Sequence, residues 1–81
     1  MPRYFFHSES EFRHSDGEGT ELRDMEAARV EAARLGGEIL RDGARHFWGT
    51  QPWTLTCTDE EGLIFFTLVL HAQDSAAATQ H

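Results

Sequence analysis

The chain contains no lysine. Its seven basic residues are all arginine, set against fourteen acids, for a formal charge of −7. Binding nucleic acid through phosphate neutralisation needs a clustered basic face, and here every Arg has acidic neighbours within a few positions. Direct nucleic-acid binding and attraction to an anionic membrane surface are therefore not expected. There is one cysteine, Cys57, so an intrachain disulfide and a cysteine-rich metal site are excluded. Long apolar runs are missing too. The longest, residues 63–70, is broken by Thr67 and is far too short to span a bilayer. No apolar run follows a basic start, and the expected location is cytoplasmic.

What is present suits a small globular protein. Eighty-one residues allow one domain, and a chain of this size buries only about 60% of its unfolded surface. Oligomerisation is a common remedy, because a shared interface adds buried area without adding residues. Six Phe, two Trp and one Tyr argue against disorder, which goes with scarce aromatics.

The segment 19–34 orders the rest of the chain. It runs from an extended stretch into an amphipathic helix, with Asp24 at the N-cap position and Glu26 in the first turn. Met25, Ala28, Ala32, Leu35 and Ile39 then recur at spacings of 3, 4, 3 and 4, one apolar stripe. Glu26–Arg29, Glu31–Arg34 and Glu38–Arg41 are i,i+3 pairs on the remaining faces, read as a solvated surface. Gly36-Gly37 interrupts the pattern, and close packing against a neighbouring element would explain one of the two. The helix is expected to run past Asp42-Gly43 to Gly49, because Phe47 falls near the apolar stripe.

Strands flank this helix. Arg3-Tyr4-Phe5-Phe6-His7 is aromatic and extended, with a weak return strand over 9–13 and a polar loop over 15–19. Trp53, Leu55 and Cys57 alternate with Thr54, Thr56 and Thr58 as a half-buried strand. Asp59-Glu60-Glu61-Gly62 reads as a hairpin loop. Over 63–71, Ile64, Phe66, Leu68 and Leu70 share one face, while Leu63, Phe65, Thr67, Val69 and His71 share the other. Both faces of this strand are apolar. The expected architecture is a two-layer α+β domain over residues 1–71. One long helix packs on a mainly antiparallel four-stranded sheet in the order β-β-α-β-β, and residues 72–81 form a flexible tail.

Four pieces of this sequence are also familiar together: Met1-Pro2-Arg3-Tyr4-Phe5-Phe6-His7, Glu18-Gly19-Thr20-Glu21-Leu22, Met25-Glu26-Ala27-Ala28-Arg29 and Thr58-Asp59-Glu60-Glu61-Gly62. In this order they resemble a family of short bacterial proteins that constitute a domain of unknown function. The resemblance covers residues 1–71. It implies a fold class and a bacterial source, and no activity or catalytic residues.

Several residues invite chemistry. His7, His14, Asp16, Glu18 and Glu21 carry ligand types suited to zinc or manganese, but no pair has the spacing of a known ligand motif, and they read as solvated loop charges. Cys57 could pair with His46 or His71 as a nucleophile; its alternation with Trp53 and Leu55 reads it instead as a small buried hydrophobe. Phe47, Trp48 and Trp53 crowd one helix–strand junction. They read either as the cap of a small core or as a protein–protein contact, and Phe65 and Val69 on the outward face of the last strand favour contact.

These observations lead to the expectation of a non-enzymatic interaction or regulatory module, without cofactor or metal, acting as a homodimer. The motive is a last strand that is apolar on both faces in a chain too short to cover both with one helix. An antitoxin-like module neutralising a basic toxin is a second reading by fold-level analogy, and the acidic balance would suit a basic protein partner. A small metal-dependent enzyme is the third, and it lacks a constellation of converging titratable groups.

Overall fold

A computed structural model describes residues 1–80, with side chains through residue 78. Its elements are β1 (Arg3–Glu9), β2 (Arg13–His14), β3 (Thr20–Glu21), α1 (Met25–Asp42), α2 (Ala44–Thr50), β4 (Trp53–Thr58) and β5 (Ile64–Leu70). The α+β class is as expected, but the expected single helix is two helices and the four-stranded sheet has five strands. The sheet is open and antiparallel, in the order β2-β1-β4-β5, with β3 also paired to β1. The weak strand expected over 9–13 is displaced: residues 10–12 form the turn, and the return strand is only Arg13–His14. Beyond β5, the segment expected as a tail carries a short 3₁₀ turn, Ala76–Gln80. The Ala72 N–H donates to the Gln51 side-chain oxygen, and His81 lies outside the described residues.

The start of α1 follows from its cap. Asp24 is extended, and its carboxylate accepts from the Ala27 N–H at 2.9 Å, satisfying one of the orphan amides of the first turn. On the exposed face Arg34 bridges Glu31 at 2.8 Å and Glu38 at 2.6 Å, and Arg41 pairs with Asp42 rather than with Glu38. Such solvent-exposed pairs are screened by water and contribute little each. The helix stops earlier than the stripe suggests. Gly43 caps α1 through its N–H to the Ile39 carbonyl (2.9 Å) and leaves helical geometry at φ −106°, ψ 22°. A Cβ there would crowd the Ile39 carbonyl at 3.1 Å, with the Trp53 ring at ordinary contact distance, and α2 then restarts at Ala44 and buries Phe47.

The core lies between α1 and one face of the sheet. Tyr4 and Phe6 from β1, Leu55 and Cys57 from β4, and Ala28 and Ala32 from α1 are buried together, with Met25, Leu35, Ile39, Phe66 and Leu68 around them. The helix residues in this core are small, which brings α1 down onto the strands. Gly36 is the closest point: a Cβ there would meet the Leu68 side chain at 3.0 Å. Of the adjacent glycines, Gly36 is therefore the one that close packing requires, whereas Gly37 faces open space. With this contact α1 runs over β4 and β5.

Strand β5 departs from regular alternation. Cys57 pairs with Phe66 and Thr58 with Ile64, so Phe65 is an extra residue in a bulge. The bulge reverses the facing of the first residue. Ile64, expected on the helix side, pairs with Thr58 on the opposite, open face and is 62% exposed. Phe65, expected to stand outward, turns its ring edge-on to the core residue Tyr4 at 5.8 Å between centroids.

Gly36→Leu should lower unfolding free energy by about 1–3 kcal/mol through overpacking against Leu68. Gly49→Ala, at a helical glycine with nothing within 4 Å of its Cβ position, should raise it by up to about 0.5 kcal/mol. Urea titrations at one protein concentration check both signs.

Candidate functional site

The two edges of the sheet are finished differently. On the β1 side, β2 and β3 pair with the end and the start of β1. The intervening Phe6 N–H donates to the Asp16 carboxylate at 3.2 Å, so a side chain takes the place of a neighbouring strand. On the other side β5 pairs with β4 alone among the described strands. Alternate N–H and C=O groups along its seven residues therefore point away from the sheet.

The five interaction candidates do not form one patch. Phe47 is buried, and Trp53 is half-buried, donating its indole N–H to Thr50 Oγ1 at 2.6 Å. These two belong to packing at the α2–β4 junction, with Trp48 beside Phe47 in an edge-on ring contact and 58% exposed. Val69, 56% exposed, lies opposite Thr54 near the same end of the sheet, whereas Phe65 is in the bulge at the far end of β5. The exposed apolar side chains of β5 are Ile64 and Val69 on the open face and Phe65 toward Tyr4 on the other, and Leu63 just before the strand is exposed too.

Sequence reasoning passed over the arrangement around His7. His7 stands on the open face of the sheet. Its Nδ1 accepts from the Asp16 N–H at 3.1 Å, which leaves the ring proton on Nε2, 3.0 Å from Thr58 Oγ1. The Thr58 hydroxyl in turn donates to the Asp59 carbonyl at 2.9 Å. The donors run from His7 through Thr58 to the Asp59 carbonyl, so the imidazole is a donor to this hydroxyl and does not activate it. The Asp16 carboxylate holds the loop above: Oδ1 accepts from the Glu18 and Gly19 N–H groups at 3.0 Å each, and Oδ2 from Phe6. Partial burial pushes the Asp16 carboxyl up, but the Gly19, Phe6 and Glu18 amides and the nearby His7 outweigh it and hold the group below its ordinary value. Gly19 completes the loop at φ +74°, where a Cβ would collide with Arg3 and the Phe5 ring at under 3 Å.

The expected metal-ligand set is thus dispersed. His7 meets Asp16 through a backbone amide, Glu21 pairs with Arg3 at 3.1 Å, and His14 lies on β2 opposite Ser8, toward the helix side. Among the described residues no three His, Cys, Asp or Glu side chains converge on one point. Cys57 is fully buried, and burial alone pushes its thiol up to about 11, the reverse of an activated nucleophile. His46 and His71 are exposed. A groove of about 490 Å³ remains on the helix side where α1 leaves β1 uncovered, with Phe6, Leu35, Ile39, Trp53 and Leu55 in its walls.

A family model described as a domain of unknown function, DUF6894, matches residues 3–71. The chain belongs to this family. No curated protein and no solved structure matches it. The matched span of this DUF6894 member runs from β1 to one residue past β5, and so takes in both sheet edges and the Asp16 loop.

In this DUF6894 chain, Asp16→Ala should lower stability at neutral pH by about 1–3 kcal/mol, the cost of unpaired, partly buried amides. Because the folded carboxyl is depressed, the wild-type advantage is complete above the ordinary carboxyl value of 3.8 and is lost as pH falls through the lower folded value. Denaturant midpoints of both proteins should be furthest apart at pH 5–7, as an order-of-magnitude window, and converge toward pH 2–3.

Proposed function

We propose that this protein is a non-enzymatic interaction module that works as a homodimer, two copies joining β5 to β5 as antiparallel neighbours in one continuous sheet. The observation that carries this reading is the asymmetry of the sheet. One edge is closed by two short strands and the Asp16 carboxylate, and the other is a seven-residue apolar strand with one side unpaired among the described residues. Natural proteins blunt free edges with charges, prolines or covering segments. β5 carries no charged residue and no proline, and its single bulge affects only its first two residues.

Charge favours this strand as the seam. Two copies each carrying −7 repel at most orientations, yet residues 63–73 contain no Asp, Glu, Lys or Arg. Joining there places the least like charge at the contact. An isologous antiparallel pair also needs no second kind of partner, since the same surface serves both sides. The non-enzymatic part of the reading is supported by His7, whose two ring nitrogens are both engaged, and by the buried, unactivated Cys57.

Sedimentation equilibrium of the full chain should show a reversible dimer in the micromolar range. Val69→Glu, at an exposed position on the seam strand, should weaken it by at least about tenfold while leaving far-UV circular dichroism unchanged. A wild-type chain that stays monomeric at high micromolar concentration would overturn the reading.

A further inference from the structure

Because α1 sits over β4 and β5, the helix side of β1 is left as a groove of about 490 Å³, within the range of about 300–1,000 Å³ that holds small molecules. Its floor is made by Phe6 and Leu55, both buried, and Leu35, Ile39 and Trp53 stand around them. Most of the lining is therefore apolar.

The polar groups of the groove are mainly acceptors. Glu38 and Asp42 are four residues apart on α1 and both line it, and at that spacing Cβ atoms lie about 5–6 Å apart. Arg34 takes Oε1 of Glu38 at 2.6 Å and Arg41 takes Oδ1 of Asp42 at 3.1 Å, but neither arginine lines the groove. Glu38 Oε2, Asp42 Oδ2 and the hydroxyl of Ser8, on β1 opposite Leu55, accept from no donor among the described residues. His14 on β2 is the remaining titratable group of the lining, and no arginine joins it.

We infer that this groove binds a small organic cation, a primary ammonium carried on an aromatic or branched aliphatic body. An ammonium has three donors and no acceptor, so it suits a rim of two neighbouring carboxylates with free oxygens. An apolar body attached to it covers Phe6, Leu55 and Trp53, so one molecule satisfies both halves of the lining. The formal charge of −7 favours the approach of a cation and disfavours an anion. The occupant is compact rather than an extended peptide. At the floor, β1 and β4 pair with each other from Phe5↔Thr58 to Glu9↔Thr54, so their main-chain groups there are engaged and recognition falls to side chains. No β5 residue lines the groove, and the site is independent of the strand seam.

The test titrates phenethylamine into the full chain at neutral pH and fixed ionic strength, with phenethyl alcohol and hydrocinnamate as the neutral and anionic counterparts, followed by amide and methyl NMR. The amine should give saturable shifts centred on Leu35, Ile39 and the Trp53 indole N–H. It should bind at least about fivefold more tightly than the alcohol, with the acid weakest. The double variant Glu38→Gln/Asp42→Asn, with circular dichroism unchanged, should bring the amine to within about twofold of the alcohol and leave the alcohol where it was. Shifts that do not saturate, that map elsewhere, or that the alcohol or the acid matches would overturn the inference, as would a loss in the double variant that the alcohol shares equally. None of these outcomes bears on the β5 seam, whose readout is self-association.

Discussion

The contact between Gly36 and Leu68 sets where the long helix α1 lies, and much of the remaining structure depends on that placement. A helix with its side chains is about 10 Å across and strands are about 4.8 Å apart, so one helix shields two strands well and no more. Small residues on its inner face, Ala28, Ala32 and Gly36, bring α1 down over β4 and β5. β1 is then covered only in part, which leaves the groove walled by Phe6, Leu35 and Ile39. The strand beneath the opposite flank of α1, β5, has no neighbour on its outer side among the described residues.

The protein treats its two edges in opposite ways, and this difference carries the functional reading. At β1 the free backbone is closed piece by piece, and even the single amide between the two short strands has a carboxylate assigned to it. The His7–Thr58–Asp59 chain then ties the covering loop to the β4–β5 hairpin. The polar groups that look most like chemistry in this molecule thus act as fasteners of an edge. At β5 nothing comparable is present among the described residues, and the side chains are apolar on both faces. A chain of this size gains much from burying such a strand against another copy.

Local signals were readable where a residue's role depends on its near neighbours. Asp24 caps the helix, Trp53 to Thr58 alternate as a half-buried strand, Gly62 takes a positive φ of 91° in the hairpin, and one of the paired glycines is packed closely. Features set by distant partners were not readable. β2 and β3 are two residues each and exist only as complements of β1. The helix breaks at Gly43, where the backbone leaves helical geometry beside the Trp53 ring, ten residues on. The β5 bulge is invisible because 63–71 is apolar on both registers, so a shift of one residue leaves the hydrophobic pattern unchanged. That shift moved Ile64 out and Phe65 in. The engagement of His7 with Asp16 had no motif spacing to announce it, and the aromatic cluster at 47–53 divided between core and surface according to helix phase after the break.

The central claim is that the outer edge of β5 is a seam for a second copy. Amide hydrogen exchange followed residue by residue across a range of protein concentrations tests it most directly. The account predicts that the β5 amides pointing away from β4 exchange freely in dilute solution and become protected as concentration rises, while the inward amides are protected throughout. Outward amides that exchange at the same fast rate at every concentration would contradict it.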